Sequence, residues 1–170
     1  MGTEGESWRA TLADGPVGVR PWLDDDASHI GASARDPAVL RFFGTAIAGS
    51  PTFDDPDPDA PSYAITLNGE PVGRMWCRPG LRPLEIGYFL RPDVWGRGIA
   101  STALRLVADW LIDGVGVNRI ALCTHPDNIA SQRVAEKAGF VADGVDERYA
   151  DFKDGTTRAL RFVRVVGDAE

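Results

Sequence analysis

A glycine-bearing turn between two apolar segments is the part of this sequence best suited to chemistry. The apolar run Leu84–Leu90 is followed by a turn that carries Gly96 and Gly98. After Gly98, apolar residues recur at helical spacing as far as Trp110, which predicts a strand, a loop and then a helix. Such a turn directs several backbone N–H groups and the positive end of a helix dipole at one point. The expected ligand is an anion, above all a phosphate.

The elements that must position this turn are indicated by short apolar runs between turn residues. Asn68-Gly69 predicts a hairpin, and the strand–helix–strand unit around Gly98 predicts one pair of parallel strands. Strands are predicted over residues 17–22, 62–67, 71–78, 84–90, 119–124, 140–142 and 157–166. Helices are predicted over residues 24–34, 37–43, 99–110 and 128–138. These elements favour one mixed α/β (α+β) domain over residues 16–167, after a segment 1–15 that is flexible or a minor edge element.

Composition and charge limit the classes of partner. The chain has 170 residues, a formal net charge of -7 and a pI near 4.8, which argues against binding nucleic acid or an anionic membrane surface. No apolar run approaches the roughly 20 residues of a membrane span, and the N-terminus lacks signal-peptide features, so a cytoplasmic location is expected. Cys77 and Cys123 lie in strand-like segments and are expected to be buried thiols, although a disulfide stays open.

A proline-rich acidic segment precedes the predicted hairpin. Residues 49–61 contain four prolines among acidic residues, which leaves little scope for a helix or a strand ladder. The segment is interpreted either as a solvated connector or as an acidic flap beside a cleft for a cationic amine.

Two motifs in order resemble the GNAT N-acetyltransferase superfamily. They are E-I-G-Y-F-L-R-P-D-V-W-G-R-G-I-A-S-T-A-L, from Glu85, and H-P-D-N-I-A-S-Q-R-V-A-E-K-A-G-F, from His125. The first resembles the pyrophosphate loop of that family, Q/R-x-x-G-x-G/A, with Trp95 in place of Gln or Arg. The likeness is strongest to the branch that includes ribosomal-protein-alanine N-acetyltransferases. It implies a central, mostly antiparallel twisted sheet with one parallel crossover and helices on both faces.

The resemblance implies acetyl-CoA as co-substrate and assigns residues to it. The backbone of residues 97–101 would hold the pyrophosphate, and the end of the preceding strand would hydrogen-bond the pantetheine arm like an added strand. Asn128 and Ser131 match the family's N-x-x-S, which contacts the pantetheine or thiol end; Asn128 also suits a plain helix cap. The complete predicted set for the cofactor is Phe89, Leu90, Trp95, Gly96, Arg97, Gly98, Ile99, Ala100, Ser101, Asn128 and Ser131.

The implied reaction is direct attack of a primary amine on the thioester, without a metal. Glu85 is the candidate general base, acting through water; the alternative is a solvated strand carboxylate. Many relatives carry a Tyr seven residues after the Asn, but Ala135 stands there, so Ser131 is the candidate acid. A backbone N–H near Phe89 or Leu90 would stabilise the oxyanion.

Three residues are candidates for the acceptor side of the site, and several classes of amine fit as the acceptor. His125 is either a base or substrate contact, or a strand-end histidine held by local hydrogen bonds. Tyr149 and Asp151 are candidates to line the acceptor side. The amine could belong to a protein N-terminus, an aminoglycoside-like compound, a polyamine or a small metabolite, and a homodimer stays open. The alternative function is a non-catalytic acyl-CoA-binding regulatory module on the same fold.

Overall fold

An eight-stranded sheet is the frame of the described chain, which in this computed structural model comprises residues 8–43, 45–46, 61–78 and 83–167. Its strands are β1 (Leu12–Asp14), β2 (Val17–Pro21), β4 (Ser62–Leu67), β5 (Glu70–Arg78), β6 (Leu84–Leu90), β7 (Arg119–Thr124), β8 (Val141–Asp146) and β10 (Ala159–Val165). Two further short strands, β3 (Thr45–Ala46) and β9 (Ala150–Asp151), pair with each other. The order across the large sheet is β1-β2-β4-β5-β6-β7-β10-β8, and β6–β7 is its parallel pair.

Helices cover both faces of the sheet. They are α1 (Asp26–Ala34), α2 (Pro37–Leu40), α3 (Ile99–Trp110) and α4 (Ile129–Lys137). Successive side chains of a strand point in opposite directions, so the residues of β6 contact the helices on one face or the other in alternation. Ile86 lies in the main core with Leu104 of α3, whereas Phe89 packs in a second core with Ile30 of α1. The prediction of a mixed α/β fold, with helices on both faces of a mostly antiparallel sheet, is therefore confirmed.

The parallel strands β6 and β7 remain together for only two residue pairs. Leu84 lies opposite Ile120 and Glu85 opposite Ala121, after which no further pair joins them in the described residues. Beyond that point β6 stays paired with β5 as far as Leu90, and β7 stays paired with β10. The sheet therefore opens into a wedge between β6 and β7, and the wedge begins at Glu85.

The helix that follows the wedge is anchored by its apolar face. Ala103, Leu104, Val107 and Ala108 of α3 are completely buried, at the spacing that places them on one side of a helix. A five-residue π-turn continues α3 and ends at Gly116, whose φ of +85° favours glycine. Packing of this face fixes the direction of α3, so its N-terminus points at the wedge.

Most predicted elements are confirmed, and three of the strands have the predicted bounds: Ser62–Leu67, Leu84–Leu90 and Arg119–Thr124. The β3–β9 pair was not predicted, since two-residue strands leave no periodic pattern. Strand β1 is an edge strand inside the segment 1–15. The loop predicted over residues 49–61 lies almost entirely outside the described residues. Among the described residues, no helix has the length and apolar character needed to cross a membrane.

Candidate active site

A cavity of about 610 Å³ occupies the wedge between β6 and β7. All the residues selected from the sequence as catalytic or cofactor-binding lie in its wall. They are Glu85, Phe89, Leu90, Trp95, Gly96, Arg97, Gly98, Ile99, Ala100, Ser101, Asn128 and Ser131. The fold thus brings two motifs that are about thirty residues apart in the sequence to one cavity.

The turn before α3 exposes backbone donors to this cavity. Gly96 and Gly98 have φ angles of +73° and +76°, a left-handed conformation that residues with a Cβ rarely adopt. Gly98 is the N-cap of α3 and provides no side-chain cap, and the first N–H groups of a helix have no acceptor within it. Ile99, Ala100 and Ser101 therefore present open amides at a helix N-terminus in the cavity wall, which is an arrangement that binds anions.

One edge of β6 is open along the wedge. The N–H of Arg91 donates to the carbonyl of Val72 on β5 at 2.8 Å, and the direction of backbone groups alternates along a strand. The backbone of Phe89 therefore also turns to β5, while that of Tyr88 and Leu90 turns to the wedge. The indole N–H of Trp95 donates to the Leu90 carbonyl at 3.0 Å. Phe89 thus contributes its side chain to the cavity, and the open backbone amides belong to Tyr88 and Leu90.

Ser131 is held by two hydrogen bonds that leave its own proton available. Its backbone N–H donates to Asn128 Oδ1 at 3.1 Å, which is the cap of α4. The Tyr88 hydroxyl donates to Ser131 Oγ at 3.2 Å. Burial raises the pKa of Tyr88 to about 12, so this hydroxyl keeps its hydrogen at neutral pH. Since Ser131 Oγ accepts from Tyr88, its own O–H stays available to donate to another acceptor.

The sequence did not identify Tyr88. Its signal was present in the alternation of β6, because Tyr88 lies on the same face as Ile86 and therefore faces α3 and α4. Ala135, which stands where many relatives have Tyr, is completely buried in the core.

Glu85 is a buried carboxylate with two partners at the start of the wedge. The Tyr149 hydroxyl donates to Glu85 Oε1, and Arg78 Nη1 lies 3.8 Å from the same oxygen. Burial raises the pKa of Glu85, whereas the hydrogen bond from Tyr149 and the charge of Arg78 oppose the rise. Burial and the nearby Glu85 charge raise the pKa of Tyr149 well above its ordinary value, so Tyr149 stays a donor. The solvated alternative for Glu85 is wrong, since the residue is only 9% exposed.

His125 is held by local hydrogen bonds. Its Nδ1 accepts from the backbone N–H of Asp127 at 3.0 Å, and its Nε2 lies 2.9 Å from Asp154 Oδ2. Because Nδ1 accepts, Nε2 carries the hydrogen and donates to Asp154. These three residues also place potential metal ligands within 4.8 Å of one another, but both ring nitrogens already have partners. His125 therefore fits the interpretation as a strand-end histidine, and the absence of a metal from the reaction stays a prediction.

Aromatic rings extend the wall beyond Glu85. Tyr149 stacks on Phe152 with ring centroids 6.4 Å apart, and His125 contacts both Phe152 and Phe42. We call the part of the cavity lined by Phe42, Arg78, Glu85, His125, Tyr149 and Phe152 the Glu85 pocket. Asp151, the other acceptor-side candidate, is exposed on β9 and lies outside the cavity wall.

The indole ring of Trp76 lies against β6 at Gly87 and forms part of the cavity wall. A Cβ added to Gly87 would lie 2.4 Å from the Trp76 indole, so the ring occupies the space that a side chain would take. Cys123 also lines the cavity, and burial raises the pKa of its thiol to about 12, which keeps the thiol protonated at neutral pH. Both cysteines are free, so the open possibility of a disulfide is not realised.

Comparisons with known proteins agree with this geometry. The chain is 41% identical over 68 residues to the probable N-acetyltransferase YjcK of Bacillus subtilis, a match that covers 40% of this chain and 38% of that protein. Mycobacterium smegmatis RimJ in complex with CoA-disulfide superposes with a TM-score of 0.77, 22% identity and coverage of 94% of this chain and 89% of that one. The ribosomal-protein-S5-alanine acetyltransferase from Vibrio fischeri has a TM-score of 0.76, 17% identity and coverage of 95% and 99%.

The chain spans less than half the length of the curated relatives that it matches, whereas the structural neighbours share the fold over almost its whole length. The family model described as an acetyltransferase (GNAT) domain matches residues 17–141, which include both motifs and the wedge. The chain belongs to the GNAT acetyltransferase family.

Proposed function

We propose that this protein is an N-acetyltransferase that transfers the acetyl group of acetyl-CoA to a primary amine by direct attack in a ternary complex. The observation that carries the proposal is the wedge itself. An anion-binding helix N-terminus lies at one side of it, and a buried carboxylate lies at the point where the strands separate. The names of the relatives support it, since YjcK is described as a probable N-acetyltransferase and the structure of RimJ is a complex with CoA-disulfide.

The cofactor half of the cavity suits a phosphorylated thioester. The open amides of Ile99, Ala100 and Ser101 would hold the pyrophosphate, as the helix N-terminus favours negative charge. Arg97, Arg133 and Lys137 line the same cavity and add positive charge for phosphate groups. The amide-rich pantetheine arm would pair with the open backbone of Tyr88 and Leu90, in the manner of an added strand.

The chemistry at the thioester follows from the groups beside it. Glu85, directly or through water, accepts a proton from the incoming ammonium, and the amine nitrogen attacks the thioester carbon. An open β6 amide stabilises the oxyanion; the nitrogen loses its second proton to water as the C–S bond breaks and the amide forms, and Glu85 returns its proton to solvent. Ser131, oriented by Tyr88, donates to the sulfur so that CoA leaves as a thiol, and solvent restores the Ser131 proton.

Acetyl transfer is tested by CoA release with a pooled amine library, with mass spectrometry of the acetylated products. We expect turnover with at least one amine, and loss of acetyl-CoA affinity in Ala100→Trp, which fills the wall beside the open amides. Ser131→Ala should lower kcat about tenfold, the equivalent of roughly 1.4 kcal/mol. Acetyl-CoA binding without turnover on any amine would favour the regulatory module, and unchanged affinity in Ala100→Trp would remove the cofactor assignment.

A further inference from the structure

Arg78 carries a buried donor that the protein leaves without an acceptor. Within the described residues, its Nε is a buried side-chain atom with no hydrogen-bond partner. Its Nη1 has a loose ionic contact with Glu85 at 3.8 Å, which is too long for a hydrogen bond. Buried polar groups of proteins are nearly always paired, so a guanidinium in a cavity wall whose Nε has no acceptor is suited to an acceptor on a ligand.

The position of Arg78 relative to the reaction is fixed by strand pairing. Arg78 lies directly opposite Glu85 in the β5–β6 ladder, and Trp76 lies opposite Gly87. Residues directly opposite each other project from the same face, so Arg78 and Glu85 are neighbours on the face of the sheet that also carries Trp76. A molecule whose amine approaches Glu85 would therefore have its next polar group within reach of Arg78.

The charge of the cavity wall opposes a purely cationic acceptor. Among the described lining residues, Glu85 is the single carboxylate, and the cationic side chains are Arg41, Arg78, Arg97, Arg133 and Lys137. Arg97, Arg133 and Lys137 are assigned above to phosphate groups. Arg41 lies with its guanidinium 4.7 Å from the centre of the Phe42 ring, so it adds positive charge beside the Glu85 pocket. A polyamine would meet repulsion from Arg41 and Arg78 with little to offset it.

We propose that the acceptor is an α-amino acid, whose carboxylate is bound by Arg78 while its amine approaches Glu85. This inference rests on the proposed function and specifies its acceptor. A guanidinium binds a carboxylate through paired N–H groups, so the orphan Nε and its neighbouring Nη gain acceptors together. The side chain of the amino acid would extend over the aromatic wall formed by Tyr149 and Phe152.

The test compares acceptors that differ only at the carboxyl group. For phenylalanine, leucine and alanine, the acid, its primary amide and the matched amine lacking the carboxyl group are assayed as acceptors with acetyl-CoA. Values of kcat/KM are corrected for the fraction of free base. We expect the acid to exceed both the amide and the amine by about tenfold or more, as expected for an ion pair shielded from water.

The variant Arg78→Gln should remove that preference. We expect the ratio of kcat/KM for the acid to that for the amide or the amine to fall about tenfold or more, measured above the acidic limb of the pH–rate profile, because a change in the ionisation of Glu85 affects all three acceptors alike. Arg158→Gln, at an exposed arginine with a loose 3.9 Å pair to Glu147, is the matched control and should keep the wild-type preference. If Arg78→Gln fails to fold, the comparison of acid, amide and amine with the wild-type protein is sufficient to test the inference.

Several results would overturn the inference. A preference for the amide would indicate a peptide N-terminus, and a preference for the amine would indicate an acceptor without a carboxyl group. An equal fall in kcat/KM for all three acceptors in Arg78→Gln would show that Arg78 only positions Glu85 and does not bind the acceptor. Transfer to none of these acceptors, by a protein that acetylates another amine of the pooled library, would overturn the inference and leave the proposed acetyltransferase function standing; no turnover with any amine of that library would contradict the proposed function itself.

Discussion

At the scale of single residues, the proposed role of Glu85 as the base makes the ionisation of its carboxyl group the condition for accepting a proton. Desolvation disfavours the charged carboxylate, and the hydrogen bond from Tyr149 and the charge of Arg78 favour it. A base whose pKa is raised from its ordinary value is better matched to neutral pH than a solvated carboxylate. We therefore propose Tyr149 as a positioning residue, whose hydrogen bond to Glu85 sets the pH range over which that carboxylate is charged.

Removal of the Tyr149 hydroxyl should move the acidic limb of the pH–rate profile. In Tyr149→Phe the carboxylate loses a donor that favours its charged form, so the pKa of Glu85 rises further. The base is active when deprotonated, and the acidic limb of kcat/KM should therefore shift to higher pH. In Glu85→Gln that limb should disappear, with kcat lower by about 10²-fold or more and unchanged acetyl-CoA affinity. A Tyr149→Phe profile that superposes on the wild type would contradict this role.

The sequence was informative for site residues that lie on one continuous strand–loop–helix unit. Gly98 and Ala100 could be selected because the local spacing of glycines determines their backbone geometry, whereas Ser131, on the later helix α4, was selected from the likeness of its N-x-x-S motif to that of the family. Tyr88 and Arg78 could not, because their roles depend on which strand edge stays open and on pairing between β5 and β6. Hydrogen bonds such as Tyr149 to Glu85 join residues far apart in the sequence, and no local pattern encodes them.

At the scale of elements, α3 combines a rigid apolar face with a glycine at each end. Gly98 begins the helix and Gly116 ends the π-turn that continues it, and both have positive φ. A Cβ added at either position would have no atom within 4 Å, so conformation and not space requires glycine. The two positions differ in that Gly98 lines the cavity.

The variants Gly98→Ala and Gly116→Ala should distinguish a loss of stability from a loss of acetyl-CoA affinity. Each variant forces a Cβ into a left-handed conformation, at a cost of about 1–2 kcal/mol. For a chain of this length that corresponds to a fall in Tm of roughly 2–8 °C in both variants. Gly98→Ala should also lower acetyl-CoA affinity, measured by calorimetry, because the turn that aims the amides of α3 is altered. Gly116→Ala is the matched control, and an equal loss of affinity there would contradict a local role for Gly98.

At the scale of the whole molecule, the sheet consists of two parts that meet at a narrow seam. One part is β1-β2-β4-β5-β6 and the other is β7-β10-β8, joined by the two β6–β7 residue pairs and by packing of α3 against α4. The β-α-β unit predicted that β6 and β7 are parallel neighbours. Its pattern carries no information on how far two neighbours stay paired, since side-chain packing on both faces of the sheet determines the point of separation.

A ligand that bridges the seam should stabilise the molecule and protect particular amides. At a concentration of about 100 times its Kd, acetyl-CoA should add about 2.7 kcal/mol to the free energy of unfolding. For a chain of this length that is a rise in Tm of roughly 5–10 °C. Hydrogen exchange followed by NMR should slow at the N–H groups of Tyr88 and Leu90, which face the wedge. The N–H of Phe89, which already faces β5, should gain much less protection. A rise in Tm with equal protection at all three amides would contradict pairing of the ligand along the open edge of β6.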